Sequence, residues 1–296
     1  MDPRLLYTFN PEAWAAVQGQ RPVMLHLLDG YVDAAAVTHN LSAYILEQCE
    51  HEPLAEFDLD QLHDYRSRRP QMVFDTNTWT ALNEFSLVLH KVTDAQGKDF
   101  LLLKGPEPDT QWRRMAAAVL GIAERLQSPL LITATGVPMA VPHSRPTLVT
   151  SHSTDPSKAQ GNPIWIDRIQ IPGSFSAMLE YRAGQAGLTG VGFVAHVPHY
   201  LAQTTFGQAT AAVLRRINAV AELDIPVDDL EEVAASNLAS IQAEMLDDSD
   251  FPGVVSTLEA QYDQLAESGA AVPSAEEIGA AVEQFLAEQG DSDSER

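Results

Sequence analysis

The chain has 296 residues, 45% of them hydrophobic and 20% charged, with a net charge of −23; this is ordinary globular material, long enough for one large domain plus an appendage. No apolar run approaches the ~20 residues needed to cross a bilayer. The first ten residues lack the basic start and long apolar stretch of an export signal, and a single cysteine, Cys49, allows no internal disulfide, so a cytoplasmic protein with no membrane partner is expected.

Charge is spread unevenly. Residues 1–221 carry 17 basic and 21 acidic groups, whereas residues 222–296 carry 1 basic and 20 acidic groups. Phosphates would be repelled along that acidic end, which argues against nucleic acid as a partner. Solvated helix faces explain the acidity more simply than a docking surface for a basic partner.

In chain order, residues 23–28 read as a buried strand, Asp29-Gly30 as its turn and Asp33 as the N-cap of a helix reaching about Cys49. Cys49 is read as packing and not as a nucleophile. Residues 86–93 and 99–104 flank the five-residue turn 94–98, a hairpin pattern that makes the sheet mixed. The second run is expected to stop at Gly105. Pro108 and Asp109 then start a helix reaching Gln127, which leaves Glu107 at the carboxyl end of a strand, where ligands gather in such sheets. A strand at 130–135 leads into a loop rich in proline (Gly136, Pro138, Pro142, Pro146), followed by a strand at 147–150. A helix near 174–183, a strand at 190–197 and a helix at 206–223 complete a main domain over residues 1–223.

Beyond Pro226 only helical patterns remain. Val227, Leu230, Val233, Leu238, Ile241 and Met245 form one apolar stripe, a second helix covers about 254–267, and Ser274 with Glu277 has capping-box spacing for a third. These define an acidic helical appendage over 224–289, followed by a disordered tail at 290–296.

Common catalytic signatures are absent: there is no phosphate loop, no G-x-S-x-G elbow and no H-E-x-x-H helix. Gly190-Val-Gly192 has the look of a dinucleotide fingerprint but lies inside an apolar run instead of a turn, so no nucleotide cofactor is assigned. What remains is polar residues at strand ends. Asp64-Tyr-Arg-Ser-Arg-Arg-Pro70 and His143-Ser-Arg-Pro146 each place an arginine before a proline, Arg69 and Arg145, and both suit either an anion or internal pairing with Asp29, Asp33, Asp64 or Glu107. His196-Val-Pro-His199-Tyr200 offers two imidazoles and a phenol. Pro198 breaks any helix that would align the rings, so a structural or binding role is read there and no metal is assigned.

Five blocks in order, Gly30-Tyr-Val-Asp-Ala34, Asp64 to Pro70, Gly105-Pro-Glu-Pro-Asp109 with Trp112, Gly136 to Pro146 and Pro198-His-Tyr-Leu-Ala202, resemble the actinobacterial branch of the proteasome assembly chaperone 2-like family. The resemblance spans about residues 20–220 and extends loosely to Leu258-Glu-Ala-Gln-Tyr-Asp263. It implies a three-layer α/β/α body with a mixed sheet, related to nucleoside phosphorylase-like folds, that forms homo-oligomers, a trimer among the expected forms. It also implies a proteasome-related protein partner and no settled activity. Two features depart from the family. Ala35 stands where a glycine is common, and the given sequence ends Asp291-Ser-Asp-Ser-Glu-Arg296, without the hydrophobic-tyrosine-any tail by which eukaryotic members engage proteasome rings.

Two functions of different class follow. The first is a non-enzymatic, oligomeric assembly or interaction protein without a cofactor. The alternative is a small-molecule hydrolase or transferase acting on an anionic or nucleoside-like ligand, its pocket at the sheet's carboxyl edge lined by Asp33, Arg69, Glu107, Arg145, His199 and Tyr200. In that alternative Glu107 or His199 is the acid or base.

Overall fold

A computed structural model describes residues 2–159, 168–245 and 251–268. The chain order is β1 (Tyr7–Phe9), α1 (Pro11–Val17), β2 (Met24–Asp29), α2 (Val37–Gln48), β3 (Glu50–Phe57), α3 (Leu59–Leu62), β4 (Gln71–Asp75), β5 (Thr78–Asn83), β6 (Val88–Thr93) and β7 (Asp99–Pro106). There follow α4 (Trp112–Leu126), β8 (Leu131–Met139), β9 (Val149–Ser153), α5 (Phe175–Gln185), β10 (Gly190–Pro198), α6 (Gly207–Ala221), α7 (Asp228–Met245) and α8 (Phe251–Ser268).

Eight strands form one mixed sheet in the order β1-β3-β6-β7-β2-β8-β10-β9. Its centre, β7-β2-β8-β10, is parallel, and β1, β3, β6 and β9 extend it by antiparallel pairing. Central strands are apolar on both faces because helices cover both. Alternation along β2 shows the division: Leu25 and Leu27 join α2, α6 and α7 on one side, while Met24 and Leu28 join α1, α4 and α5 on the other. Each fully buried Leu or Phe in these layers stabilises the fold by roughly 1.5–3 kcal/mol.

Several expected boundaries move, each for a local reason. β7 passes through Gly105 instead of ending there, because that residue takes φ 144°, and a Cβ on it would lie 2.3 Å from the Ser86 carbonyl oxygen. β8 likewise runs four residues past Thr135, its Gly136-Val-Pro-Met139 end pairing in parallel with Ala195 to Pro198. The helix expected from Asp33 begins at Val37, after a 3-10 turn in which Ala35 and Ala36 adopt φ 56° and 52°. Asp109 does not cap α4. Gln111 occupies that position with no side-chain cap, while the Asp109 carboxylate accepts from the Asp64 N–H at 2.7 Å and from Arg68 Nη2 at 2.7 Å.

Strand β9 lies two residues later than expected, and Ser174 caps α5 through the Ala177 N–H. Gly190-Val-Gly192 lies within β10. Cys49 is buried just past α2, and burial pushes its thiol up to about 11, which fits packing rather than nucleophilic chemistry. Beyond the main sheet, α7 packs on α6 and contributes Leu230 and Ile241 to the same core layer. The helix expected from Ser274 and the tail at 290–296 lie outside the described residues.

Candidate functional site

Parallel strands β2, β7, β8 and β10 end on the same edge of the sheet, so the segments after them meet there. Asp33 follows β2 and Glu107 follows β7; the Glu107 N–H donates to the Asp29 carbonyl oxygen at 2.9 Å, which ties the two segments together. The loop carrying His143 and Arg145 leaves β8. His199 and Tyr200 leave β10 in a 3-10 turn. Arg69 comes from the segment between α3 and β4 and is exposed; its neighbour Arg68 donates to the Glu107 carbonyl oxygen.

The two acidic candidates face helix starts. Asp33 accepts from the Thr38 N–H at 2.9 Å, the Thr38 hydroxyl at 2.9 Å, the His39 N–H at 3.3 Å and the Gly136 N–H at 3.3 Å. Burial raises its pKa, and those four donors oppose the rise. Its carboxylate therefore occupies the anion-binding end of α2 and fastens it to β8. Thr38 reinforces the joint by donating to the Ala134 carbonyl oxygen at 2.9 Å. Gly136 is needed there, since a Cβ would lie 2.2 Å from the Ala34 carbonyl oxygen. Glu107 does the same at α5, accepting from the Phe175 N–H at 2.5 Å.

Arg145 turns outward to α8. It donates from Nε and Nη2 to Asp263 at 2.8 and 2.7 Å and from Nη1 to Glu259 at 3.0 Å, partners outside the four acids the sequence suggested. The Asp263 bonds, with charge attraction to both acids, raise its already high pKa. Ser144 also donates to Glu259, and the Tyr262 hydroxyl donates to the Pro146 carbonyl oxygen at 2.9 Å. Glu259, Tyr262 and Asp263 lie in the segment to which the family resemblance loosely extends, but their spacing alone does not show which face of α8 meets a loop over a hundred positions earlier.

Behind that loop, the His143 N–H donates to the Tyr200 hydroxyl at 3.0 Å, and His143 Nδ1 lies 2.9 Å from the same oxygen. Burial pushes the phenol up to about 12 and lowers the His143 pKa. His199 is exposed, its ring meeting that of Tyr200 edge on at 5.2 Å. His196 points into the core, with Nε2 2.8 Å from the Thr150 hydroxyl and a pKa lowered to about 4 by burial. The two histidines thus face different surroundings. Among the described residues no group of three or more His, Cys, Asp or Glu side chains is placed to hold a metal ion, and no helix is long and apolar enough to cross a membrane.

The structure therefore gathers the candidate segments along one edge and gives Asp33, Glu107 and Arg145 separate internal partners. By its eight-strand mixed sheet flanked by helices, the molecule is an α/β protein. Residues 27–245 match the model of the PAC2 family, and the chain belongs to that family.

Among solved structures, a Mycobacterium tuberculosis protein of unknown function is 38% identical with a TM-score of 0.83, the match covering 89% of this chain and 90% of that one. A Corynebacterium glutamicum protein of unknown function is 34% identical with a TM-score of 0.84, over 88% and 98% of the two chains. A Mycobacterium tuberculosis proteasome-assembly chaperone homologue shares the fold at 23% identity, with a TM-score of 0.71 over 79% and 99%. No curated protein matches the chain.

Proposed function

We propose that the protein is a non-enzymatic, homo-oligomeric assembly or interaction protein whose partners are proteasome-related. The observation carrying this reading is a contrast in how side chains are used: three of the charged groups expected to meet a substrate, Asp33, Glu107 and Arg145, hold helices and loops, while large apolar groups stand in water. Hairpin β4–β5 supplies the latter. Met72 pairs with Leu82 and Phe74 with Trp79, so all four share one face, and they are 47%, 44%, 56% and 61% exposed. Phe74 and Trp79 already meet edge to face, their ring centroids 4.9 Å apart. An isolated two-stranded hairpin is marginal in water, and an apolar face of this kind marks an interaction surface.

A second copy of the chain is the occupant we assign to that face, on a body related to nucleoside phosphorylase-like folds. The named proteasome-assembly chaperone homologue supports the proteasome-related partner through the shared fold. Copurification from the native host tests that link: proteasome subunits are expected to accompany the tagged full chain, with precursor processing delayed in a deletion strain. Unaltered proteasome maturation in the deletion strain overturns the assembly role.

A further inference from the structure

A buried titratable side chain sits at the root of hairpin β4–β5. Residues 71–83 are exposed throughout, and among the described residues their hydrogen bonds stay within the hairpin, so its direction is set by the limbs that lead into and out of it. His63, which ends α3, touches both limbs. Its Nε2 lies 2.9 Å from the Arg68 carbonyl oxygen on the entering limb, and its ring meets Tyr65 edge on at 4.8 Å and Phe85 of the leaving limb at 4.7 Å. Toward the body, Nδ1 lies 3.2 Å from Asp109 Oδ2, and the imidazole is enclosed, with 0% of the side chain exposed.

Both polar neighbours of the ring are acceptors. A carbonyl oxygen offers no proton, so the contact to Arg68 places a ring proton on Nε2. Asp109 is an anion: burial acts to raise its pKa, but the Asp64 N–H and Arg68, with charge attraction from Arg68 and His63, hold it below the usual carboxylate range. A ring with one proton therefore turns the Nδ1 lone pair toward a carboxylate, and among the described residues Nδ1 has no hydrogen bond. A second proton converts that repulsion into an ion pair. The other charges at the root are Arg68, whose Nη2 donates to Asp109 Oδ1 at 2.7 Å, Asp64, whose carboxylate accepts from the Arg66 N–H at 2.9 Å, and Asp60, Glu84 and Asp58 around the Tyr65 hydroxyl.

We propose that His63 is a proton switch for the hairpin: with both ring nitrogens protonated it clamps the entering limb to Asp109 and fixes the direction in which β4–β5 meets a second copy, and with one proton it lets the limb loosen. This rests on the reading of the hairpin face as a self-association surface and adds its regulation. The limb lies at the surface, so brief local openings admit the proton. Because the protonated ring favours the clamped root, the clamp is present in mild acid and is lost as pH rises through the range, around 6.5, in which imidazoles ordinarily titrate.

Hydrogen exchange of residues 64–70 in the full chain, followed by mass spectrometry and corrected for the intrinsic effect of pH on exchange, tests the clamp, and sedimentation tests its consequence. From pH 8 to pH 6 the limb is expected to gain roughly fivefold in protection, and the dissociation constant of the proposed oligomer to fall by a similar factor. His63→Gln keeps a donor for the Arg68 carbonyl but takes up no proton, and should flatten both responses. Asp109→Asn keeps an acceptor for Asp64 and Arg68 while removing the anion, and should flatten them as well. Limb protection indifferent to pH in the unaltered chain, or an equal response in both variants, overturns the switch. A limb that responds within an oligomer of constant affinity overturns its link to self-association. A chain that is monomeric at both pH values overturns the second copy itself, and with it the regulation, even where the limb responds.

Discussion

The parallel centre of the sheet and hairpin β4–β5 are built from similar residue types and use them in opposite ways. In the centre, apolar side chains are covered on both faces and the charged groups at the carboxyl edge are bound within the chain: Asp33 to the start of α2, Glu107 to the start of α5. In the hairpin every residue from Gln71 to Asn83 is exposed, aromatic ones included. Hydrophobic burial is the main favourable term in folding, so the hairpin gains little from the monomer. On the proposed reading, the difference separates what the chain completes alone from what it leaves to a second copy.

Acid should break the centre first. His26 lies wholly buried in β2, its pKa lowered to about 3 by burial and by the nearby His152; burial leads in lowering His90 and His196 to about 4 as well. A histidine whose folded pKa lies below its ordinary 6.5 takes up its proton first in the unfolded chain. Its stabilising contribution is therefore complete above pH 6.5 and is lost as pH falls toward 4, at a rate on the order of 1 kcal/mol per pH unit for each residue. Urea unfolding from pH 7 to 4 is expected to show this decline, and His26→Leu should make it shallower. A decline equally steep in that variant would show that His26 does not stay neutral in the fold.

Smaller, and aimed at the other half of the comparison, is Trp79→Asp. It should raise the dissociation constant of the proposed oligomer by roughly thirtyfold or more, the scale of a central aromatic contact of about 2 kcal/mol. Light scattering with size-exclusion chromatography reads the change in mass, and the unfolding midpoint of the separated subunit should stay the same. A chain that is already a monomer, or an oligomer indifferent to the substitution, removes the second copy from the hairpin.

Element type in the parallel centre was legible because period and length agree there: short apolar runs for β2, β7 and β10, and longer amphipathic patterns for α4, α6 and α7. The rest gave weak local signals. β3 carries Pro53 and alternating acids in its exposed first half, a pattern that disfavours a strand until β1 and β6 pair with it. The hairpin had a readable signal, Met72-Val-Phe74 and Trp79-Thr-Ala-Leu82 around a short turn, obscured by the arginines just before it. At the candidate edge, chain order identified which loops follow which strands. It could not show that Asp109 serves Arg68 and Asp64, or that Arg145 turns to α8, because those choices depend on contacts distant in sequence.

The smallest effect sharpens the account of the carboxyl edge itself. Ala35 and Ala36 hold left-handed φ values that cost a residue with a Cβ roughly 1 kcal/mol or more each. They persist because both flanks are fixed: Asp33 is bound to α2 and β8, and the Ala35 N–H donates to the Ala202 carbonyl oxygen at 2.8 Å. Relief of strain in Ala35→Gly is partly offset by the greater freedom of glycine in the unfolded chain. A net gain of about 0.5 kcal/mol is expected in urea unfolding, with the oligomer unchanged. In an Asp33→Ala background the gain should shrink, since without the carboxylate the turn can relax and the strain that glycine relieves is no longer imposed. An equal gain in both backgrounds would mean that Asp33 does not enforce the left-handed turn.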